Sequence, residues 1–177
     1  MTEPILARLF EHHNWANDRI IRACLALTDA QLDAEPHSAT QGSIRSTLFH
    51  LVTSQQGYLR LLSVPLERRL ADIPIPLFSE LQSLAAGSGE ALLALARDET
   101  SIPMQGRIRT RDGFYVEHWV LLVQIINHAT EHREQIKSML TALGLTAPAI
   151  DGWDFAEYTH AMLPVENDNN PASQPGA

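Results

Sequence analysis

Two histidines four residues apart, His128 and His132, are the residues whose type and spacing most favour chemistry. They lie in a segment from 120 to 143 whose apolar residues recur at helical intervals. Because residues i and i+4 of an α-helix project from the same face, two imidazoles at this spacing can bind one metal ion. A third histidine from a facing helix, His50, would leave coordination positions open, as in catalytic zinc sites. The spacing therefore predicts a metal centre suited to chemistry.

These histidines also have a structural interpretation. A lone histidine on an apolar helix face is usually a core or edge residue, and this applies to His50 taken alone. The structural interpretation is weaker for the pair His128 and His132, because both lie on an apolar stripe that extends from Leu121 to Ile136. Burying two imidazoles there costs free energy unless each has a partner, and a shared metal ion would provide one.

The segment His128-Ala-Thr-Glu131-His132 also matches the inverted zinc-protease pattern, in which the glutamate is the general base. We interpret this match as incidental, because the pattern is short and the chain has no second large domain to hold a peptide. Glu131 is the candidate base, or a hydrogen-bond partner of a metal ligand, against the alternative of a solvated surface residue. Arg133 has two interpretations, a contact for an anionic cosubstrate and an ordinary helix-surface charge.

The length of 177 residues is typical of one domain and allows a hydrophobic core without disulfides. We predict one domain over residues 1–163 and a disordered polar tail over residues 164–177. Cys24, the single cysteine, lies among apolar residues and is expected to be buried. There is no export signal and no run of about 18 apolar residues, so a soluble cytoplasmic protein is expected.

The net charge of −8 results from 21 acidic and 13 basic residues. A nucleic-acid partner is therefore not expected, because phosphate backbones are bound by basic surfaces. Arg107, Arg109 and Arg111 form a local basic cluster. It is either a solvated edge or a rim that attracts an anionic substrate.

Helical periodicity predicts the elements that position these residues. A first helix extends from Pro4 to Leu27, and its His12 and His13 are alternatives for lining the metal pocket. A second helix follows an N-cap at Ser43 and carries the histidine at position 50.

A third helix is predicted over residues 77–95, and a fourth from 117 to 143, where Gly144 suits a left-handed C-terminal position. Between them Asp112-Gly113 indicates a tight turn in a small hairpin or extended crossing. A short fifth helix is predicted over residues 151–160. The fold class is therefore all-α, an antiparallel four-helix bundle, and facing helices of such bundles commonly hold metal sites.

Three segments carry a resemblance to a known family. They are Asn14-Trp-Ala-Asn17, Ser43-Ile-Arg-Ser-Thr-Leu-Phe-His50, and Asn127-His-Ala-Thr-Glu-His-Arg-Glu-Gln-Ile136 with Leu143-Gly144. On these segments the chain resembles the DinB/YfiT-like metalloenzyme family from about residue 5 to residue 160. The resemblance implies a four-helix bundle, often dimeric, in which His50, His128 and His132 bind a divalent metal ion. Nickel or zinc is expected first, with manganese and iron as alternatives.

Some members of that family transfer low-molecular-weight thiols onto electrophiles, and others are damage-inducible proteins of unknown activity. Many have a different residue where this chain has Glu131, so the charge of the pocket is expected to differ. The resemblance implies a thiol transferase whose partners are a small-molecule thiol and an electrophile. Alternatives are a metal-dependent hydrolase and a noncatalytic metal-binding stress-response protein. The acidic charge balance and the lack of a long apolar run argue independently against a nucleic-acid or membrane partner.

Overall fold

The computed structural model of the protein describes residues 3–37, 39, 42–69, 74–98, 106–110 and 112–163. Most of these residues are helical, which confirms the predicted all-α class. The elements are α1 (Ile5–Leu25), α2 (Asp29–Leu32), α3 (Ile44–Ser63), α4 (Leu66–Arg69), α5 (Leu81–Arg97), β1 (Arg107–Arg109), β2 (Tyr115–Glu117), α6 (His118–Ala142) and α7 (Gly152–Tyr158). The predicted tail over residues 164–177 lies outside the described residues.

Local sequence signals account for the ends of the helices that carry the histidines. The Ser43 side chain accepts a hydrogen bond from the backbone N–H of Ser46, so Ser43 is the predicted N-cap of α3. Gly144 has a φ of +73°, the left-handed conformation that terminates α6. Both predictions are confirmed. Ser43 marks the start of the helix that carries His50, and Gly144 marks the end of the helix that carries His128 and His132.

The four long helices pack in a closed arrangement, in which α1 and α3 each contact both α5 and α6. α1 and α5 are antiparallel, because Asp18 contacts Gln82 whereas Glu3, near the start of α1, contacts Arg97 at the end of α5. Side-chain hydrogen bonds and an ion pair therefore hold this pair together along its length.

The helix α3 has a different relation to each of its neighbours. It runs parallel to α5, because Arg45 stacks over Phe78 just before α5 and Gln55 bonds Ser88 within it. The long connection between the two helices returns the chain to the starting end of the bundle. Against α6, α3 runs antiparallel, so residues early in α3 meet residues late in α6. This antiparallel pair carries the three histidines.

Apolar residues of the long helices form two clusters in the core. The first contains Ile20, Leu48 and Ile136, and the second contains Phe10 and Leu92. A layer of buried polar residues lies between the two clusters along the bundle: His13, Asn17, Gln55, Ser88 and Arg133.

The predicted hairpin is also confirmed. β1 and β2 pair antiparallel with Ile108 opposite Val116, and Gly113 in the turn has a φ of +94°. The short helix α4, which follows Pro65, was not predicted from the sequence. No helix within the described residues has both the length and the apolar character that crossing a membrane requires.

Candidate metal centre

The imidazoles of His50, His128 and His132 converge where α3 and α6 pack against each other. His128 Nε2 lies 3.1 Å from His50 Nε2 and 3.1 Å from His132 Nε2. The three candidate ligand atoms all lie within 4.8 Å of one another. Three imidazole nitrogens from two helices therefore face one small volume.

The chemistry of these donors fits a divalent metal ion. With metal–nitrogen bonds of 2.0–2.1 Å, a tetrahedral ion places its ligand atoms about 3.3 Å apart, close to the two separations of 3.1 Å from His128 Nε2. A single proton on His128 Nε2 can satisfy only one of its two 3.1 Å contacts. One ion could serve all three lone pairs at once, which explains how three imidazoles can share this volume.

Hydrogen bonding and electrostatics favour the form of the histidines that binds metal. His132 Nδ1 donates to Gln135 Oε1 at 2.7 Å, so its Nε2 keeps the lone pair. Desolvation, with smaller contributions from His132 and His50, lowers the pKa of His128 to about 4. Desolvation and then His132 lower the pKa of His50. His50 and His128 are therefore neutral near pH 7, as metal binding requires.

Solvent reaches the cluster from the α3 side. The His132 side chain is buried, with 4% of its surface exposed, His128 is half-buried, and His50 is exposed. The rings of Tyr58 and His128 pack in a T-shaped contact, and the Gln124 amide donates to the Tyr58 hydroxyl at 3.3 Å. The three candidate ligands therefore differ in exposure, and the exposed one, His50, is the one that lies on α3.

Glu131 is adjacent to His132 in sequence but not part of the histidine cluster. Its side chain is exposed, and it makes no hydrogen bond or ion pair with the described residues. Its assignment as a general base stays a prediction.

Arg133 differs from both interpretations based on the sequence, which placed it on the surface or against a cosubstrate. Only 3% of its surface is exposed. Its Nη1 donates to Asn17 Oδ1 at 2.8 Å and its Nη2 donates to Thr130 Oγ1 at 2.9 Å. Both interpretations failed because helical spacing shows only which face of α6 Arg133 lies on. It does not show that Asn17, on another helix, is available as a buried partner.

The alternative pocket residues His12 and His13 lie elsewhere. His12 Nε2 is 2.9 Å from the carbonyl oxygen of Ile150, and His13 Nε2 is 2.8 Å from Gln55 Oε1. Neither belongs to the histidine cluster, and a role of either as an alternative residue lining the metal pocket stays a prediction. Each is held by a hydrogen bond to a different part of the fold.

Two arginines of the predicted basic cluster lie on the hairpin. Arg107 and Arg109 are exposed, and with Arg69 and His118 they line a cleft of about 450 Å³ at the end of α3. Arg111 lies outside the described residues. Attraction of an anionic substrate to this rim stays a prediction.

Several residues of the site were missed from the sequence. Gln135 lies three residues after His132, a helical spacing at which side chains meet, so this contact could have been predicted. Tyr58 and Gln124 carry no comparable signal, because their contact depends on how α3 packs against α6.

Fold and site together define a helical-bundle protein with a cluster of three histidines that could hold a metal ion. The model of the DinB family matches residues 1–169, and the chain belongs to the DinB family. This confirms the resemblance found in the sequence. A comparison with curated proteins finds no match.

Proposed function

We propose that this protein is a metal-dependent enzyme in which His50, His128 and His132 hold one divalent ion. Nickel or zinc is the preferred ion, with manganese and iron as alternatives. We propose further that it transfers a low-molecular-weight thiol to a small electrophile. The observation that supports both steps is the convergence of three Nε2 atoms at a position with one solvent-accessible side.

In this proposal different residues of the chain bind the ion, orient the ligands and leave the ion accessible. An ion held by this cluster supplies a Lewis acid, which lowers the pKa of a coordinated thiol or water. Gln135 orients His132 through Nδ1, while the packing of Tyr58 limits the orientations of His128. Because His50 is exposed, a thiol and an electrophile could reach the ion from solvent.

The nucleophilic sulfur must come from a cosubstrate. Cys24 is the single cysteine of the chain, and its side chain is completely buried. Burial also raises the pKa of the Cys24 thiol to about 12, whereas a reactive cysteine has a lowered pKa. An external thiol is therefore the source of sulfur that this proposal requires.

Two alternatives predict different behaviour. A hydrolase with Glu131 as base is less well supported, because that carboxylate is exposed and lies outside the histidine cluster. In a noncatalytic metal-binding protein the same histidines would hold the ion without exchange of its remaining ligands. Thiol transfer, hydrolysis and ligand exchange are separately measurable.

The first experiment measures metal content on protein purified without an affinity tag. The wild type should carry about one equivalent of a divalent metal, and the variant with His50, His128 and His132 all changed to Ala should carry none. His37→Ala removes an exposed histidine outside the cluster and serves as the matched control. A wild type that stays metal-free after soaking with nickel, zinc and manganese would refute the metal site.

The second experiment tests catalysis on the metal-loaded protein. Small thiols are offered with a fluorogenic electrophile, and conjugate formation is compared between the wild type and the triple variant. Water exchange at the ion is followed by nuclear magnetic relaxation. Transfer that depends on the three histidines supports the proposal. A bound ion with neither water exchange nor thiol binding would instead establish a structural role.

A further inference from the structure

The carboxamide of Asn17 on α1 joins the two helices that carry the three histidines. Its Nδ2 donates to Gln55 Oε1 at 2.8 Å, and its Oδ1 accepts from Arg133 Nη1 at 2.8 Å. Gln55 lies five residues after His50 on α3, and Arg133 directly follows His132 on α6. One buried side chain on a third helix thus contacts both helices near their metal-facing residues.

We propose that Asn17 is a positioning residue of the metal centre. Through Gln55 and Arg133 it sets the rotation and register of α3 against α6, and so the distance of His50 Nε2 from the two histidines of α6. Asn17 contacts none of the histidines in the cluster, so its effect on metal binding is exerted through the helices. This inference rests on the proposed metal site and extends it to a residue of α1.

Asn17 belongs to a small network of buried polar side chains. Gln55 Oε1 accepts from Asn17 Nδ2 and lies 2.8 Å from His13 Nε2, which in turn lies 3.1 Å from Asn17 Nδ2. The other end of the Gln55 amide donates to the carbonyl of Ala85 at 3.0 Å and to Ser88 Oγ at 2.7 Å. Because both ends of this amide are engaged, neither it nor the Asn17 amide can rotate without losing partners. The connection between α3 and α6 is therefore compatible with one arrangement of the helices.

The burial of Arg133 supports a role in selecting one packing arrangement of the helices. Its guanidinium is buried, and no carboxylate forms an ion pair with it among the described residues. A buried charge held by neutral acceptors is an inefficient source of stability, since apolar residues of similar volume often stabilise a core equally well. Such groups can instead select one packing arrangement, and here that arrangement brings the histidines of α6 to His50.

The test replaces Asn17 with Leu, which is similar in size but has no hydrogen-bonding groups. Affinity for zinc and nickel is measured by competition with a chromogenic chelator, and unfolding by denaturant is measured on the same samples. Loss of residues that orient metal ligands typically weakens affinity about 10- to 100-fold, and we expect a loss in that range.

Leu92→Ala is the matched control. Leu92 is buried in the second core cluster, so its truncation destabilises the fold without touching the Asn17 network. Metal affinity should stay within about threefold of the wild type in this variant. Equal losses of affinity in Asn17→Leu and Leu92→Ala at equal destabilisation would overturn the proposal, because the effect would then be general.

A second variant tests the same proposal if Asn17→Leu does not fold. Arg133→Met removes the buried cation and the connection to α6 while leaving Asn17 and Gln55 together. It should weaken metal affinity in the same direction.

Crystal structures of the metal-free variants supply a measurement that does not depend on metal binding. The 3.1 Å separation of His50 Nε2 from His128 Nε2, which joins α3 to α6, should widen in either variant, whereas the 3.1 Å separation of His128 Nε2 from His132 Nε2, both on α6, should not change. An unchanged separation of His50 from His128 would refute the positioning role of Asn17. A wild type that binds no metal would refute the proposed function, and the metal-free comparison would still decide the role of Asn17.

Discussion

His132 Nδ1 donates a hydrogen bond to Gln135 Oε1, 2.7 Å away and one turn further along α6. A neutral imidazole with its proton on Nδ1 has its lone pair on Nε2, the atom that faces His128. Gln135 therefore selects the tautomer of His132 that can bind a metal ion. Its position three residues after His132 lets α6 supply both the ligand and its partner.

Replacement of Gln135 with Leu should weaken metal binding by about 10- to 100-fold, because His132 loses the group that fixes its tautomer and orientation. Helical content should not change. The measurement is zinc competition against a chelator. Gln82→Leu, which removes a glutamine bonded to Asp18 far from the cluster, is the control and should bind zinc like the wild type. Equal affinities in all three proteins would show that Gln135 has no role at the site.

The three histidines could be grouped from the sequence because helical spacing determines a face. His128 and His132 lie four residues apart, and their apolar stripe correctly indicated the face of α6 that meets α3. Turn chemistry was equally informative, since Ser43 caps α3 and Gly144 ends α6. Such local rules hold because they depend on a few neighbouring residues.

The polar layer in the core could not be predicted in this way. Asn17, Gln55 and Arg133 come from three helices, and each residue alone looks like an ordinary surface residue. Their burial is decided by the packing of α1 against α3 and α6, which no local pattern encodes. The parallel direction of α3 and α5 was missed for the same reason, because it depends on the path of the connection between them.

Stability of the metal-free protein should fall in mild acid because of His13. Burial, followed by the charge of Arg133, lowers the pKa of His13 from 6.5 to about 3. In the unfolded chain this histidine takes up a proton below about pH 6.5. Stability is therefore complete above that pH and is lost towards pH 3, by up to about 1.4 kcal/mol per pH unit.

The measurement is the free energy of unfolding in urea at several pH values with a chelator present. In His13→Gln the loss between pH 6.5 and pH 4.5 should be smaller by up to about 3 kcal/mol. His37→Gln, at an exposed position, should follow the wild type. Parallel profiles for the wild type and His13→Gln would show that another group governs the acid response.

Glu131→Gln separates the two enzymatic alternatives. Because Glu131 is exposed and outside the histidine cluster, its replacement should leave metal affinity within about threefold and thiol transfer largely intact. General-base catalysis typically contributes a factor of about 10² to 10⁴. A loss of that size in conjugate formation or hydrolysis, at unchanged metal content, would show that Glu131 is the base.

Two glycines on α5 should respond oppositely to alanine. A Cβ at Gly89 would lie 2.5 Å from Asn14 Oδ1, and Asn14 Nδ2 donates to the Gly89 carbonyl at 2.9 Å. Gly89→Ala must displace the Asn14 carboxamide and break its hydrogen bond to the Gly89 carbonyl, so it should destabilise the fold by about 1 kcal/mol. A Cβ at Gly87 meets nothing within 4 Å, and Gly87→Ala should stabilise by up to about 1 kcal/mol. Denaturant unfolding of both variants measures the difference. Equal stabilities would mean that the contact between Asn14 and Gly89 is not formed in solution.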